Sequence, residues 1–98
     1  MANHATNLFF ASTANEKDRA RIVRHLGENF DDWKYDVFDE CVEGEFTSRW
    51  AYPAEIIEGM TALLEAEDNV YIRILTHDLA NEYVSFRVFS KGKWRIEI

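Results

Sequence analysis

The chain has 98 residues, of which 47% are apolar and 14% aromatic, with a single cysteine and a net charge of −7. That is one small domain with room for one core, and the lone Cys41 excludes an internally disulfide-linked scaffold of the secreted kind. No basic start leads into an apolar segment of signal-peptide length, and no run approaches the roughly 18 uncharged apolar residues of a membrane span. A cytoplasmic protein with no membrane contact is the expectation.

The charge is distributed unevenly. Residues 28–68 carry thirteen carboxylates against Lys34 and Arg49, whereas residues 1–27 and 69–98 each sum to +2. Such an asymmetry bears on partner choice and encounter rate rather than on fold. Taken in chain order, Leu8-Phe9-Phe10-Ala11 is short, aromatic and flanked by polar residues, which predicts a first strand. Thr13-Ala14-Asn15-Glu16 matches a capping box and predicts a helix, with Ile22, Val23, Leu26 and Phe30 as its buried stripe. Trp33 to Val42 alternates as a strand, Glu43-Gly44 suits a hairpin turn, and Phe46, Ser48 and Trp50 alternate in the strand after it.

Pro53 and Glu55 suit the first turn of a second helix, whose apolar stripe is Ile56, Ile57, Met60, Leu63 and Leu64 and whose end falls near Glu65 to Asp68. Val70, Ile72 and Ile74 mark a fourth strand. Val84, Phe86 and Val88, then Lys91-Gly92, then Trp94, Ile96 and Ile98 mark a closing hairpin. The predicted order is β-α-β-β-α-β followed by β-β. The first six elements form the split-βαβ, ferredoxin-like α+β arrangement: an antiparallel sheet with two helices on one face, here with an added C-terminal hairpin, all in one domain over residues 1–98. Trp33, Trp50 and Trp94 all fall on the inward register of this scheme.

Met1-Ala2-Asn3 with Asn7-Leu8, and Phe46-Thr47-Ser48-Arg49-Trp50-Ala51-Tyr52-Pro53 leading into the second helix, resemble the YubB-type or Api92-like ferredoxin-like proteins of phages and plasmids. That family tends to open with M-A-N-W-C-x-N and to carry a Thr-x-Trp-x-Pro-Pro passage. Here His4-Ala5 replaces Trp-Cys, and Pro53 stands alone. The resemblance implies the fold and a mobile-element origin, and carries no catalytic residues.

Two surfaces are candidates for function. Asp36, Glu40 and Glu45 on the helix-free side of a hairpin, with Glu55, Glu58 and Glu65 on the exposed side of the second helix, would present carboxylates to the basic nucleic-acid-binding surface of a host protein. Carboxylates at phosphate-like density can compete for a groove that binds phosphates through Lys and Arg. The bland alternative is a set of solvated acidic faces. The second candidate is the sheet face away from the helices, where Phe9, Tyr71 and Phe89, beside Leu75 and Arg87, would form an aromatic interface or a homodimer seam unless the C-terminal hairpin folds over it. An acidic third strand without a basic, glycine-aromatic pattern argues against direct nucleic-acid binding.

No enzymatic activity, metal or cofactor is expected. His4, His25 and His77 are scattered without metal-ligand spacing, and Cys41 on an acidic, apolar-faced strand reads as a buried structural thiol. There is no Gly-rich phosphate loop and no nucleophile elbow. The sequence thus leaves two readings: an anti-CRISPR-like inhibitor acting as a nucleic-acid mimic, or a self-associating structural or regulatory module.

Overall fold

A computed structural model describes residues 4–98. Six strands and two α-helices follow in the order β1 (His4–Ser12), α1 (Glu16–Asn29), β2 (Lys34–Phe38), β3 (Cys41–Arg49), α2 (Ala54–Thr61), β4 (Tyr71–Asp78), β5 (Tyr83–Ser90) and β6 (Lys93–Ile96). Short 3-10 turns precede β4 and β5. One antiparallel sheet has the order β2-β3-β1-β4-β5-β6. The first four strands and two helices fit a ferredoxin-like arrangement, and β5 and β6 widen the sheet to six strands instead of folding over its open face.

The inner face of the sheet carries the core. Phe9, Ala11, Val42, Phe46, Ile72, Ile74 and Phe89 meet Ile22, Leu26, Ile57 and Met60 from the helices. Phe46, 1% exposed, stacks on Phe30 at 4.1 Å between ring centroids. Burying each such side chain contributes about 1.5–3 kcal/mol. A buried polar cluster centred on Asn7 lies among them. Asn7 Nδ2 donates to Ser48 Oγ at 2.9 Å and to the Phe46 carbonyl at 3.3 Å, while Asn7 Oδ1 accepts from Thr76 Oγ1 at 2.6 Å. The side chain is thereby satisfied on both ends, which is what permits an amide in an apolar sheet centre.

Helix α1 starts two residues beyond the expected Thr13 cap. Asn15 is the N-cap, its Oδ1 accepting the Asp18 N–H at 2.9 Å, and Thr13 Oγ1 accepts the Asn15 N–H instead. Asn15 can do this because it stands three residues before a free amide of the first turn. Helix α2 ends at Thr61, short of the expected Glu65 to Asp68, and Leu63 beyond it is exposed.

The first hairpin turn is at Asp39-Glu40, not at Glu43-Gly44. Asp39 takes φ +52, a conformation that aspartate tolerates better than most residues. Gly44 lies within β3, where a Cβ would come within 2.2 Å of the Lys34 carbonyl and 2.9 Å of both Tyr35 Cα and the Trp33 ring. The glycine serves close backbone approach, not a turn. Trp50 is not a core residue: it follows the end of β3 at φ +73 and is 63% exposed. Trp33 and Trp94 pack at the core margin, and neither buried indole N–H has a partner.

Candidate docking face

The face of the sheet opposite the helices is uncovered, and the strand registers define what it presents. In β1 the residues Ala5, Asn7, Phe9 and Ala11 are buried inward, so Leu8 and Phe10 point outward. Phe9 is therefore core, against the expectation that it lies on the open face. Phe89 is likewise inward and 2% exposed, opposite Ile72, and Arg87 lies inward with its guanidinium 4.0 Å from the centre of the Tyr52 ring. Of the three candidate interface aromatics only Tyr71 faces outward, exposed beside Arg73. Phe86 and Val88 take the outward places assigned to Arg87 and Phe89. The outward places of β5 are the apolar Val84, Phe86 and Val88 and the inward ones include Ser85 and Arg87, so alternation points to the reverse of its true phase.

Two rows cross the whole sheet. In the first, Asp36 is opposite Glu43, Glu43 opposite Phe10, Phe10 opposite Arg73, Arg73 opposite Val88 and Val88 opposite Arg95. In the second, Lys34, Glu45, Leu8, Leu75 and Phe86 are successive partners, and the Glu97 N–H donates to the Phe86 carbonyl at 2.8 Å. The first row therefore runs from acidic through apolar to basic, whereas the second starts at Lys34, is apolar from Leu8 to Phe86 and ends beside Glu97. At the centre of the face Leu8 is 43% exposed, and the Arg73 guanidinium sits 4.5 Å from the centre of the Phe10 ring. A shallow 380 Å³ depression lies over this centre, lined in part by Leu8, Phe10, Arg73, Leu75 and Phe86.

The acidic candidates do not form one surface. Asp36 and Glu45 share the outer face of the β2–β3 hairpin, and Glu40 is in its turn. Glu55 and Glu58 are on α2 in the helical layer. Glu65 follows α2 and accepts from Asn15 Nδ2 at 3.1 Å. Glu43 joins Asp36 and Glu45 on the outer face, a position that sequence reasoning had assigned to the turn. Among the described residues, none of Asp36, Glu40, Glu43, Glu45, Glu55 and Glu58 makes an ion pair; the four pairs present join Arg19 to Glu16, Arg21 to Asp18, Arg24 to Glu28 and Arg95 to Glu97.

Two carboxylates are instead fastened to the backbone. Asp18 is buried, which alone would raise its pKa, but N–H groups of Glu65 and Ala66 and the guanidinium of Arg21 hold it below the usual aspartate value. Desolvation opposes ionisation at Asp32 too, and is outweighed by the N–H and hydroxyl of Thr47, which hold its pKa low. Burial raises the pKa of the Tyr52 phenol above its ordinary range. None of the three is paired with a nucleophile.

His25 Nε2–H donates to the Ile56 carbonyl at 2.8 Å and ties α1 to α2, while His4 and His77 lie on β1 and β4. Among the described residues no three His, Cys, Asp or Glu side chains gather as metal ligands. Cys41 is half-buried, on the outer face opposite Ser12 and Phe38, and not in the core as expected. No helix among the described residues is long and apolar enough to cross a membrane.

The fold and this face define an α+β domain with an open, charge-graded sheet surface. Comparison of the chain with protein-family models, curated proteins and solved structures finds no match. The resemblance to YubB-type proteins rests partly on Met1-Ala2-Asn3, which lie outside the described residues.

Proposed function

We propose that the chain is a non-enzymatic binding protein that docks a macromolecular partner through its helix-free sheet face. The observation that carries this reading is the combination of an apolar centre, Leu8, Phe10, Leu75 and Phe86, with carboxylates on one flank that have no ion-pair partner. Exposed apolar centres with charged rims are the usual anatomy of protein–protein interfaces.

The acidic flank suggests one occupant. Asp36 and Glu43 are directly opposite on neighbouring strands, a like-charge arrangement that costs the sheet stability and is relieved when a basic surface covers it. With the mobile-element origin that the YubB-type resemblance implies, the chain reads as a phage or plasmid inhibitor that occupies the basic nucleic-acid-binding surface of a host complex such as a CRISPR effector, in the cytoplasm of a bacterial host. The apolar centre favours a second reading, in which the ferredoxin-like domain self-associates through the same face.

The test uses purified nucleic-acid-processing complexes and measures competition with nucleic acid. Reversal of Asp36, Glu43 and Glu45 to lysine abolishes binding, and reversal of Glu55 and Glu58 on the other layer does not. Equal loss from both sets, or loss from neither, refutes the acidic-flank reading. Retention of all binding by Leu8→Asp and Phe86→Asp refutes the docking face itself.

A further inference from the structure

We infer that the occupant of the open sheet face is a second copy of this chain, packed sheet to sheet about a two-fold axis that runs along the strands between β1 and β4. The inference rests on the second reading, self-association through this face, in place of a host surface, and adds the orientation of the two copies. Two faces can be brought together by a two-fold axis across the strands or by one along them. An axis across the strands lays each strand over its own copy, so that Asp36 and Glu43 meet the same carboxylates of the other protomer. An axis along the strands reverses the strand order and lays β2 of one protomer over β6 of the other.

Only the second choice matches the charges. The row from Asp36 to Arg95 is then superposed on its own reverse, which sets Asp36 against Arg95 of the second copy and Phe10 against Arg73. The neighbouring row follows the same rule: Lys34 meets Glu97, and Leu8 meets Leu75 at the axis. The ends of the two rows carry opposite charges, in opposite senses, so reversal matches the ends of each, where Arg95 and Glu97 already pair within the chain, and lays Glu43 on Val88 and Glu45 on Phe86. A general electrostatic dipole would need only one of the two rows.

The size is also sufficient. Six strands about 4.8 Å apart and about seven residues long give a face of about 24 by 23 Å. Covering it twice removes roughly 1,100 Å² from water, near the lower bound for specific, stable interfaces. Leu8 and Phe86 lie outward from the core, so aspartate at either place tests the seam without removing core packing.

Light scattering of the full chain at micromolar and at hundred-micromolar concentration gives the mass. A species of twice 11.5 kDa is expected, reduced to the monomer by Leu8→Asp or Phe86→Asp with the circular dichroism spectrum retained. Asp36→Arg and Arg95→Asp each weaken the dimer roughly tenfold, and the double variant regains the lost affinity because it exchanges the two charges across the seam. A monomer at the highest concentration, a dimer indifferent to Leu8→Asp and Phe86→Asp, or a double variant no tighter than either single one overturns the inference. If the wild type is monomeric yet binds a basic partner through Leu8 and Asp36, the second copy is refuted and the docking face stands. If it is monomeric and those substitutions change no binding, both fall.

Discussion

Asp18 and Glu65 are 47 residues apart in sequence and are joined by a hydrogen bond of 2.8 Å from the Glu65 backbone N–H to the Asp18 carboxylate. A second bond from Ala66 at 2.9 Å and the Arg21 guanidinium at 2.8 Å complete the buried site. One side chain of α1 thus holds the chain as it leaves α2, and Glu65 is placed by this clip more than by any outward role.

The clip predicts an acid sensitivity. The folded pKa of Asp18 is depressed, so its contribution is fully present above the unfolded value of about 3.9 and is lost as the pH falls through the lower folded value. Asp18→Asn lowers unfolding free energy at neutral pH by about 1–3 kcal/mol, because one carboxylate oxygen that accepted becomes a donor facing N–H groups. Urea titrations at neutral and acid pH check this: the deficit of the variant shrinks at acid pH. An unchanged deficit across that range contradicts the assignment.

Gly44→Ala addresses the close approach between β3 and β2. An added Cβ at 2.2 Å from the Lys34 carbonyl cannot be accommodated by a rotamer change, since the obstacle is backbone. The expected loss is about 1–3 kcal/mol, with amide exchange of residues 34–38 accelerated before the rest of the sheet. Protection of β2 equal to that of the wild type rules the mechanism out.

The buried amide of Asn7 makes a different prediction. Asn7→Ala leaves the Thr76 hydroxyl without its acceptor in the sheet centre and removes the donor to Ser48 Oγ, which keeps its bond to the Ala51 carbonyl. The cost is about 2–4 kcal/mol, combining a cavity with an unsatisfied polar group. Adding Thr76→Val to Asn7→Ala recovers part of it, which a double-mutant cycle by thermal unfolding detects.

Asp36→Asn separates stability from binding. Removing one charge of the opposed Asp36 and Glu43 pair raises stability by a few tenths of a kcal/mol, about the size of a cross-strand like-charge pair, and at the same time weakens association through the outer face. A variant that is both less stable and fully competent in association shows instead that Asp36 has a structural role.

Much of the architecture was legible because hydrophobic alternation is strong where one face is buried. Ile72 and Ile74 against Tyr71 and Arg73 are unambiguous, and so is the Lys91-Gly92 turn, where both residues take positive φ. The pattern failed where a strand has no polar position to set its phase or where polar residues turn inward. In β1 the run Leu8-Phe9-Phe10 has no polar position to set its phase, and in β5 the inward Ser85 and Arg87 look like surface residues. Ser85 and Arg87 turn inward because Tyr52 and the polar end of the core, Asn7 and Thr76, are there to receive them. Gly44 misled for a related reason, since a glycine required for strand approach and one required for a turn have the same letter and differ only in tertiary surroundings. The acidic block was legible as composition, but its division between two layers was a property of the fold.

The central place of β1 has a consequence for synthesis. Its two neighbours are β3 and β4, whose residues 41–49 and 71–78 are made much later. Until those strands are made, β1 stands without its two neighbours and with Leu8, Phe9 and Phe10 uncovered. Pairings across such separations form late and slowly. Until β4 emerges from the ribosome the nascent chain therefore offers chaperones an apolar strand without its second neighbour.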